Sequence, residues 1–182
     1  MKGGAANPVR IRYTKRGKIR WISHRDVARA LERAFRITKL PLAFTEGFSP
    51  RPKVSFGLDL STGHESEAEY LDLVFSEDVE LDALSVSLTD ALPDGIAVTG
   101  ATHLAERAPA LQEAVTAVVW HVEPTRSDGT PVDASELAEH VERALALPAL
   151  TTSRRRKGRD VEEDVLPVIR RCELRGTFPV SL

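Results

Sequence analysis

The side chains that could do chemistry gather in the first 57 residues of this chain. This segment holds fourteen lysines and arginines against three acids, a local charge of +11, whereas the whole 182-residue chain has a charge of -2. A field of one sign attracts polyanions. Single-stranded nucleic acid needs cations to hold its phosphates and flat rings to stack its bases. Aromatic rings stand among these cations: Tyr13, Trp21, Phe35, Phe44, Phe48 and Phe56.

Arginines recur on one side of a helix that we predict over residues 24–38. Arg25, Arg29, Arg33 and Arg36 fall away from its apolar stripe, where a phosphate backbone could lie along them. The alternative is an ordinary solvated face on which Arg36 pairs with an acid one turn before it. One such pair leaves the other arginines mostly without acidic partners, so we favour phosphate binding.

The loop at 46–53, with the sequence EGFSPRPK, is the most specific local feature. Gly47 permits a positive φ, and prolines on both sides of Arg51 fix the backbone. A loop that is already ordered loses little entropy on binding. A structural turn would not need Phe48, Arg51 and Lys53. We therefore predict a binding loop that forms one continuous site with the arginine face, with Trp21 and Phe48 as stacking platforms.

His24 and Asp26 are weak catalytic candidates, as a general base held by a carboxylate. The alternative, which we favour, is that Asp26 completes a capping box with Ser23 at the start of the helix. The remaining histidines are scattered, and no Walker loop, dinucleotide fingerprint, nucleophile elbow or zinc signature occurs. We expect neither a metal nor a cofactor.

Composition narrows the class of protein. The single cysteine excludes an internal disulfide, a cysteine-based zinc finger and a self-contained iron–sulfur cluster. No run of 18 apolar residues predicts a membrane helix, and the first residues lack the apolar core of a signal peptide. We expect a cytoplasmic protein with no membrane partner.

The elements that must position the candidate residues follow the order β-α-β-β-α-β, the ferredoxin-like pattern of an α+β fold. Ser23 is the predicted N-cap of the first helix. Hydrophobic periodicity and turn residues set the boundaries. We predict extended segments at 9–14, 19–22, 42–45, 54–58, 69–75 and 96–102, and helices at 24–38 and 81–92.

A smaller unit is expected after this domain. We predict a strand at 114–122, a helix at 133–147, and strands at 150–155 and 165–172 around a basic tip at 154–159. This β-α-β-β order lacks the last α-β pair of a second ferredoxin-like half. The predicted domains are 9–105 and 112–182, after a disordered tail at 1–8.

Four blocks of sequence carry a resemblance to a known family. They are KRGKIRWISHRD at 15–26, LERA at 31–34, LPLAFTEGFSPRPK at 40–53 and GHESEAEY at 63–70. In combination they resemble the bacterial radical-SAM-linked protein family, a domain fused behind cobalamin-binding radical SAM proteins or standing alone. The resemblance covers 9–105 and, more loosely, the second unit, although family members continue past a strand like 166–172. It implies a role beside a radical SAM enzyme, in RNA modification or ribosome-related biology, and it carries no catalytic residue over.

These observations lead to one functional expectation and two alternatives. We expect an RNA-binding accessory protein that presents tRNA or rRNA to a separate radical SAM protein, because one cysteine cannot hold that enzyme's cluster. The first alternative is a metal-independent ribonuclease or RNA-modifying enzyme with His24 as base. The second is a protein–protein adaptor whose acidic middle, 65–94, meets a basic partner.

Overall fold

The computed structural model describes residues 8–105, 107–156 and 158–175. The chain divides into two compact units, Met1–Val118 and Val119–Leu182. The predicted disordered tail lies outside the described residues, except for Pro8. The predicted domains 9–105 and 112–182 stay a prediction.

The first unit is a four-stranded antiparallel sheet with two main helices. Its sheet has the strand order β2-β3-β1-β4, and each neighbouring pair is antiparallel. The predicted α+β class and the β-α-β-β-α-β order are confirmed. The elements are β1 (Val9–Lys15), α1 (His24–Ile37), β2 (Val54–Phe56), β3 (Ser66–Leu73), α2 (Leu81–Ala91), β4 (Val98–His103) and the short α3 (Leu111–Ala114).

Both main helices pack on the same face of this sheet. Ile11 on β1 and Leu71 on β3 share one buried cluster with Leu31 of α1 and Leu88 of α2. Side chains alternate along a strand, so Arg12 lies on the opposite face. The buried residues of α1 follow the predicted apolar stripe: Val27, Leu31, Ala34 and Phe35.

The start of α1 is fixed by the predicted N-cap. The Oγ atom of Ser23 accepts a hydrogen bond from the backbone N–H of Asp26 at 3.2 Å. The Ser23 hydroxyl in turn donates to the Asp26 carboxylate at 2.7 Å. This hydrogen bond, followed by one from Arg29, holds the pKa of Asp26 below its usual range. The capping prediction is therefore confirmed, and Asp26 serves the helix end.

The segment before α1 differs from the sequence prediction. Residues 19–22 are not simply extended, because Gly17–Trp21 forms a 3₁₀ helix. The cause is Lys15, which is only 2% exposed. Its Nζ atom donates to the carbonyl oxygens of Arg20 and Ile22 at 3.4 and 3.2 Å. A buried ammonium group needs such acceptors, and the 3₁₀ helix brings these two carbonyl groups to it.

A close backbone approach also holds this segment against the sheet. The N–H of Arg16 donates to the carbonyl of Gly95 at 2.8 Å. Gly95 has a φ of +97°, and a Cβ atom there would lie 2.4 Å from the Arg16 carbonyl oxygen. Only glycine fits this position without displacement of the backbone.

The second unit contains, among the described residues, one α-helix, one β-hairpin and a short 3₁₀ helix. Helix α4 (Ala134–Leu145) begins at the N-cap Asp133, which accepts from the N–H groups of Ser135 and Glu136. Strands β5 (Thr151–Arg156) and β6 (Arg159–Asp164) pair antiparallel. None of the described helices has the length and apolar character needed to cross a bilayer.

Two strands predicted after residue 112 are wrong. The strand predicted at 114–122 is absent: Ala114 ends the short helix α3, and residues 115–122 belong to no strand of the described chain. A run of apolar and β-branched residues forms a strand only where a neighbouring strand pairs with it. Residues 165–172 contain a 3₁₀ helix at Leu166–Val168 instead, since Pro167 fixes φ and removes a donor. The second strand of the hairpin begins at Arg159, before the predicted 165. The basic run, which the sequence predicts as the hairpin tip, begins within β5.

The cap at Ser23 generates a stability prediction. Ser23→Ala removes the acceptor for the Asp26 N–H, so we expect the free energy of unfolding to fall by roughly 0.5–2 kcal/mol. Chemical denaturation of both proteins measures the difference. Ser55→Ala, an exposed strand position, is the control and should change stability by less than about 0.5 kcal/mol. Equal stability of the Ser23 variant and the parent would show that the cap contributes nothing.

Candidate nucleic-acid interface

The outer face of α1 carries the predicted row of arginines. Arg25, Arg29, Arg33 and Arg36 are all exposed. Arg29 pairs with Asp26 at 3.1 Å. Within the described residues the other three make no ion pair, and the pair between Glu32 and Arg36 that would mark an ordinary solvated face is absent. The row therefore keeps charge available for an external anion.

The loop at 46–53 extends from a hydrogen-bonded base. The N–H of Thr45 donates to the carbonyl of Arg51 at 2.8 Å, and the N–H of Lys53 donates to the carbonyl of Ala43 at 2.8 Å. The Arg51 N–H also donates to the Thr45 hydroxyl at 3.0 Å. These bonds fix both arms of the loop, so its tip residues are displayed by an ordered frame.

The tip of this loop is open to solvent. Phe48 has a relative exposure of 110%, the value of a side chain with no neighbours. Arg51 and Lys53 are exposed and make no ion pair with any described residue. An aromatic ring and two available cations are therefore exposed on one ordered loop, and their role in binding stays a prediction.

This loop lies at the C-terminal end of α1. Leu42, five residues beyond the end of the helix, bridges to Phe75 just past β3. The neighbouring Ala43 N–H donates to the carbonyl of Val74 at 2.7 Å. Apolar side chains are exposed here as well, since Ile37 is 56% and Phe44 is 54% exposed. The loop end of the first unit therefore combines cations with exposed apolar surface.

Trp21 lies at the other end of α1 and is built into a platform. Its side chain is 63% exposed. The Arg20 guanidinium lies 5.0 Å from the ring centroid, a cation–π contact. Gly63 approaches the ring so closely that a Cβ atom there would lie 3.3 Å from it. The Gly63 N–H donates to the Arg20 carbonyl at 2.6 Å, which ties this turn to the 3₁₀ helix.

Acids that follow β2 in the chain neutralise part of the basic segment. Glu65 accepts from the Gly17 N–H at 3.0 Å and pairs with Arg20 at 3.4 Å. Glu67 pairs with Arg16, and this hydrogen bond holds the pKa of Glu67 below its usual range. Arg10 pairs with Asp72 at 2.8 Å. Fewer cations are therefore available to a ligand than the net charge of the first 57 residues indicates.

His24 has a different partner from the one considered in the sequence. Its Nε2 atom lies 3.2 Å from the Oδ1 atom of Asp59, and its ring meets Phe56 edge to face at 5.5 Å between centroids. Asp26 instead serves the helix cap. Sequence reasoning missed Asp59, because nothing in the chain before folding marks this loop residue as a neighbour of His24.

Helix α1 connects the two candidate ends. Its 14 residues span about 21 Å, with Trp21 before its first turn and the Phe48 loop after its last. Of the predicted site residues, Arg25 and Arg29 lie in the half near Trp21, and Arg33 in the half near the loop. A continuous site would have to follow the helix from Trp21 to this loop, and both the continuity of the site and its role in binding stay a prediction.

Most of the chain matches the model of a known protein family. Residues 9–181 match a family described as an uncharacterized protein conserved in bacteria, DUF2344. No curated protein and no solved structure matches the chain. The matched region includes α1, the loop at 46–53 and the second unit. The chain therefore belongs to this conserved bacterial family.

Proposed function

We propose that this protein is a cytoplasmic RNA-binding accessory factor that presents tRNA or rRNA to a separate radical SAM enzyme. The observation that supports RNA binding is the row of exposed arginines on α1, which runs between two exposed aromatic side chains. The resemblance of the SHRD and GFSPRPK blocks to radical-SAM-linked proteins supports the enzyme partner.

The charge arrangement favours a phosphate ligand. Three arginines on helix α1 make no ion pair with a carboxylate of the described residues: Arg25, Arg33 and Arg36. A guanidinium presents a planar fork of donors that fits phosphate oxygens in a bidentate manner. Several guanidinium groups spaced along a helix can hold a row of successive anionic groups. A nucleic-acid backbone presents such a row of phosphates.

The composition supports an accessory role within a radical SAM system. The chain has a single cysteine, Cys172, which is exposed. Iron–sulfur clusters need several thiolates, so the cluster belongs to the partner in this proposal. The chain's own contribution is to bind and orient the RNA.

The pairing of His24 with Asp59 favours a second candidate function, RNA cleavage. A carboxylate that orients an imidazole is a common arrangement for a general base. The His24 side chain is 27% exposed, so a substrate hydroxyl could reach it. This site lies beside the Trp21 end of α1, where the proposed RNA path begins.

Arg51 provides the test of binding. We expect Arg51→Ala to weaken binding of tRNA by roughly 1–3 kcal/mol, since a charge-assisted hydrogen bond from an ordered loop is lost. Fluorescence anisotropy at fixed salt measures the change. Arg12→Ala is the matched control, because Arg12 is exposed, makes no ion pair with a described residue, and lies on the sheet face away from α1. Equal losses for the two variants would contradict a localised interface.

Cleavage is tested on the same RNA. If His24 is a general base, the parent protein shortens labelled tRNA, His24→Ala reduces the rate by about 100-fold or more, and Asp59→Asn reduces it less. Denaturing electrophoresis separates the products. Intact RNA with the parent protein, under conditions where anisotropy shows full binding, would eliminate this second function and leave the accessory role.

A further inference from the structure

We infer that the RNA ligand is a single strand that runs the length of α1, with one base stacked on Trp21 and another on Phe48. This inference rests on the proposed RNA binding and adds the form of the ligand and its path. In this inference Trp21 and Phe48 belong to one site, and a ligand must be long enough to reach both rings.

Trp21 is a platform held in place before any ligand arrives. Its neighbour Arg20 contacts the ring at 5.0 Å and pairs with Glu65 at 3.4 Å. Gly63 packs against the ring. Despite these contacts, 63% of the side chain remains exposed. A large aromatic surface that is both anchored and open is suited to stacking one base.

Phe48 is presented in a different way at the other end. The hydrogen bonds of Thr45, Arg51 and Lys53 hold the arms of the loop, while the Phe48 side chain is fully exposed among the described residues. Exposing a phenylalanine completely to water is unfavourable, and no fold contact of the described residues explains its place. A base that covers the ring would remove that apolar surface from water, and Arg51 and Lys53 stand close in sequence to hold its phosphate.

The arginine row fills the interval between the two rings. From Arg25 to Arg36 the helix rises about 16 Å, which is too long for one nucleotide and suits a strand of several. Because these side chains lie on one face of α1, they offer cations along a line. No aromatic side chain occurs within the arginine row. The middle part of the path therefore contacts the phosphates of the strand and makes no stacking contact with its bases.

A duplex does not fit this arrangement. In a double helix the bases are stacked on one another and their faces are closed to protein side chains. Stacking on Trp21 and Phe48 therefore requires unpaired bases at both ends of the path. The ligand class is a single-stranded region, such as a loop or an end of a structured RNA.

The experiment is a length series of unstructured oligouridylates, from about 4 to about 16 nucleotides, measured by fluorescence anisotropy. Trp21→Ala and Phe48→Ala should each weaken binding of the longest oligonucleotide by roughly 5- to 150-fold. Each should change binding of the shortest by about twofold at most, because a short strand can occupy the remaining end. Trp21→Phe and Phe48→Tyr keep a flat ring and should preserve most of the length dependence.

Val86→Ala is the matched control, since Val86 is 64% exposed on α2 and outside the path. Thermal unfolding of each variant checks the fold. A loss of affinity that is the same for the shortest and the longest oligonucleotide, in either the Trp21→Ala or the Phe48→Ala variant, would overturn the continuous path. A duplex that binds as tightly as the single strand would overturn it too, and both results would leave RNA binding intact. Failure of the parent protein to bind any of these RNAs or tRNA would instead overturn the proposed function.

Discussion

Burial of one stripe of α1 against the sheet decides where the rest of this helix points. Leu31 is 1% exposed and Ala34 is 0% exposed, and they pack with the apolar sides of β1 and β3. Because a helix repeats every 3.6 residues, fixing this stripe inward fixes the arginine row outward. The cap at Ser23 sets where the first turn begins. The proposed interface thus follows from core packing on one side of α1 and from charge placement on the other.

Ion pairing then selects which cations can serve a ligand. Cations occur throughout the basic segment of the sequence, but Lys15 is buried and Arg10 is paired with Asp72. The acids that remove charge come from β3 and the turn before it, well after the basic segment in the chain. Five of the cations that keep no ion pair with a described residue lie on α1 and in the loop at 46–53, whereas Arg12, Lys18 and Lys39 lie elsewhere. Most of the unpaired positive charge of the basic segment therefore lies along the proposed path.

Much of this could be predicted from the sequence, and the misses have physical causes. The capping box and the apolar period of α1 are local signals, so both were predictable. The 3₁₀ helix before α1 depends on the burial of Lys15. The contact between His24 and Asp59 depends on the segment after β2, which returns to the start of α1. Such non-local contacts leave no periodicity. Residues 115–122 are rich in the apolar and β-branched residues of a strand, but a strand also needs a partner, which composition does not reveal.

The central claim is that α1 and its adjoining loop hold RNA phosphates, and the salt dependence of binding tests it most directly. Each phosphate contact releases counterions, so log K should fall linearly with log salt concentration, with a slope of about 0.7 per contact for a single strand. The account predicts a slope that corresponds to about four to seven contacts, measured with one unstructured RNA across a salt titration. A binding constant that stays flat from low to moderate salt would contradict it.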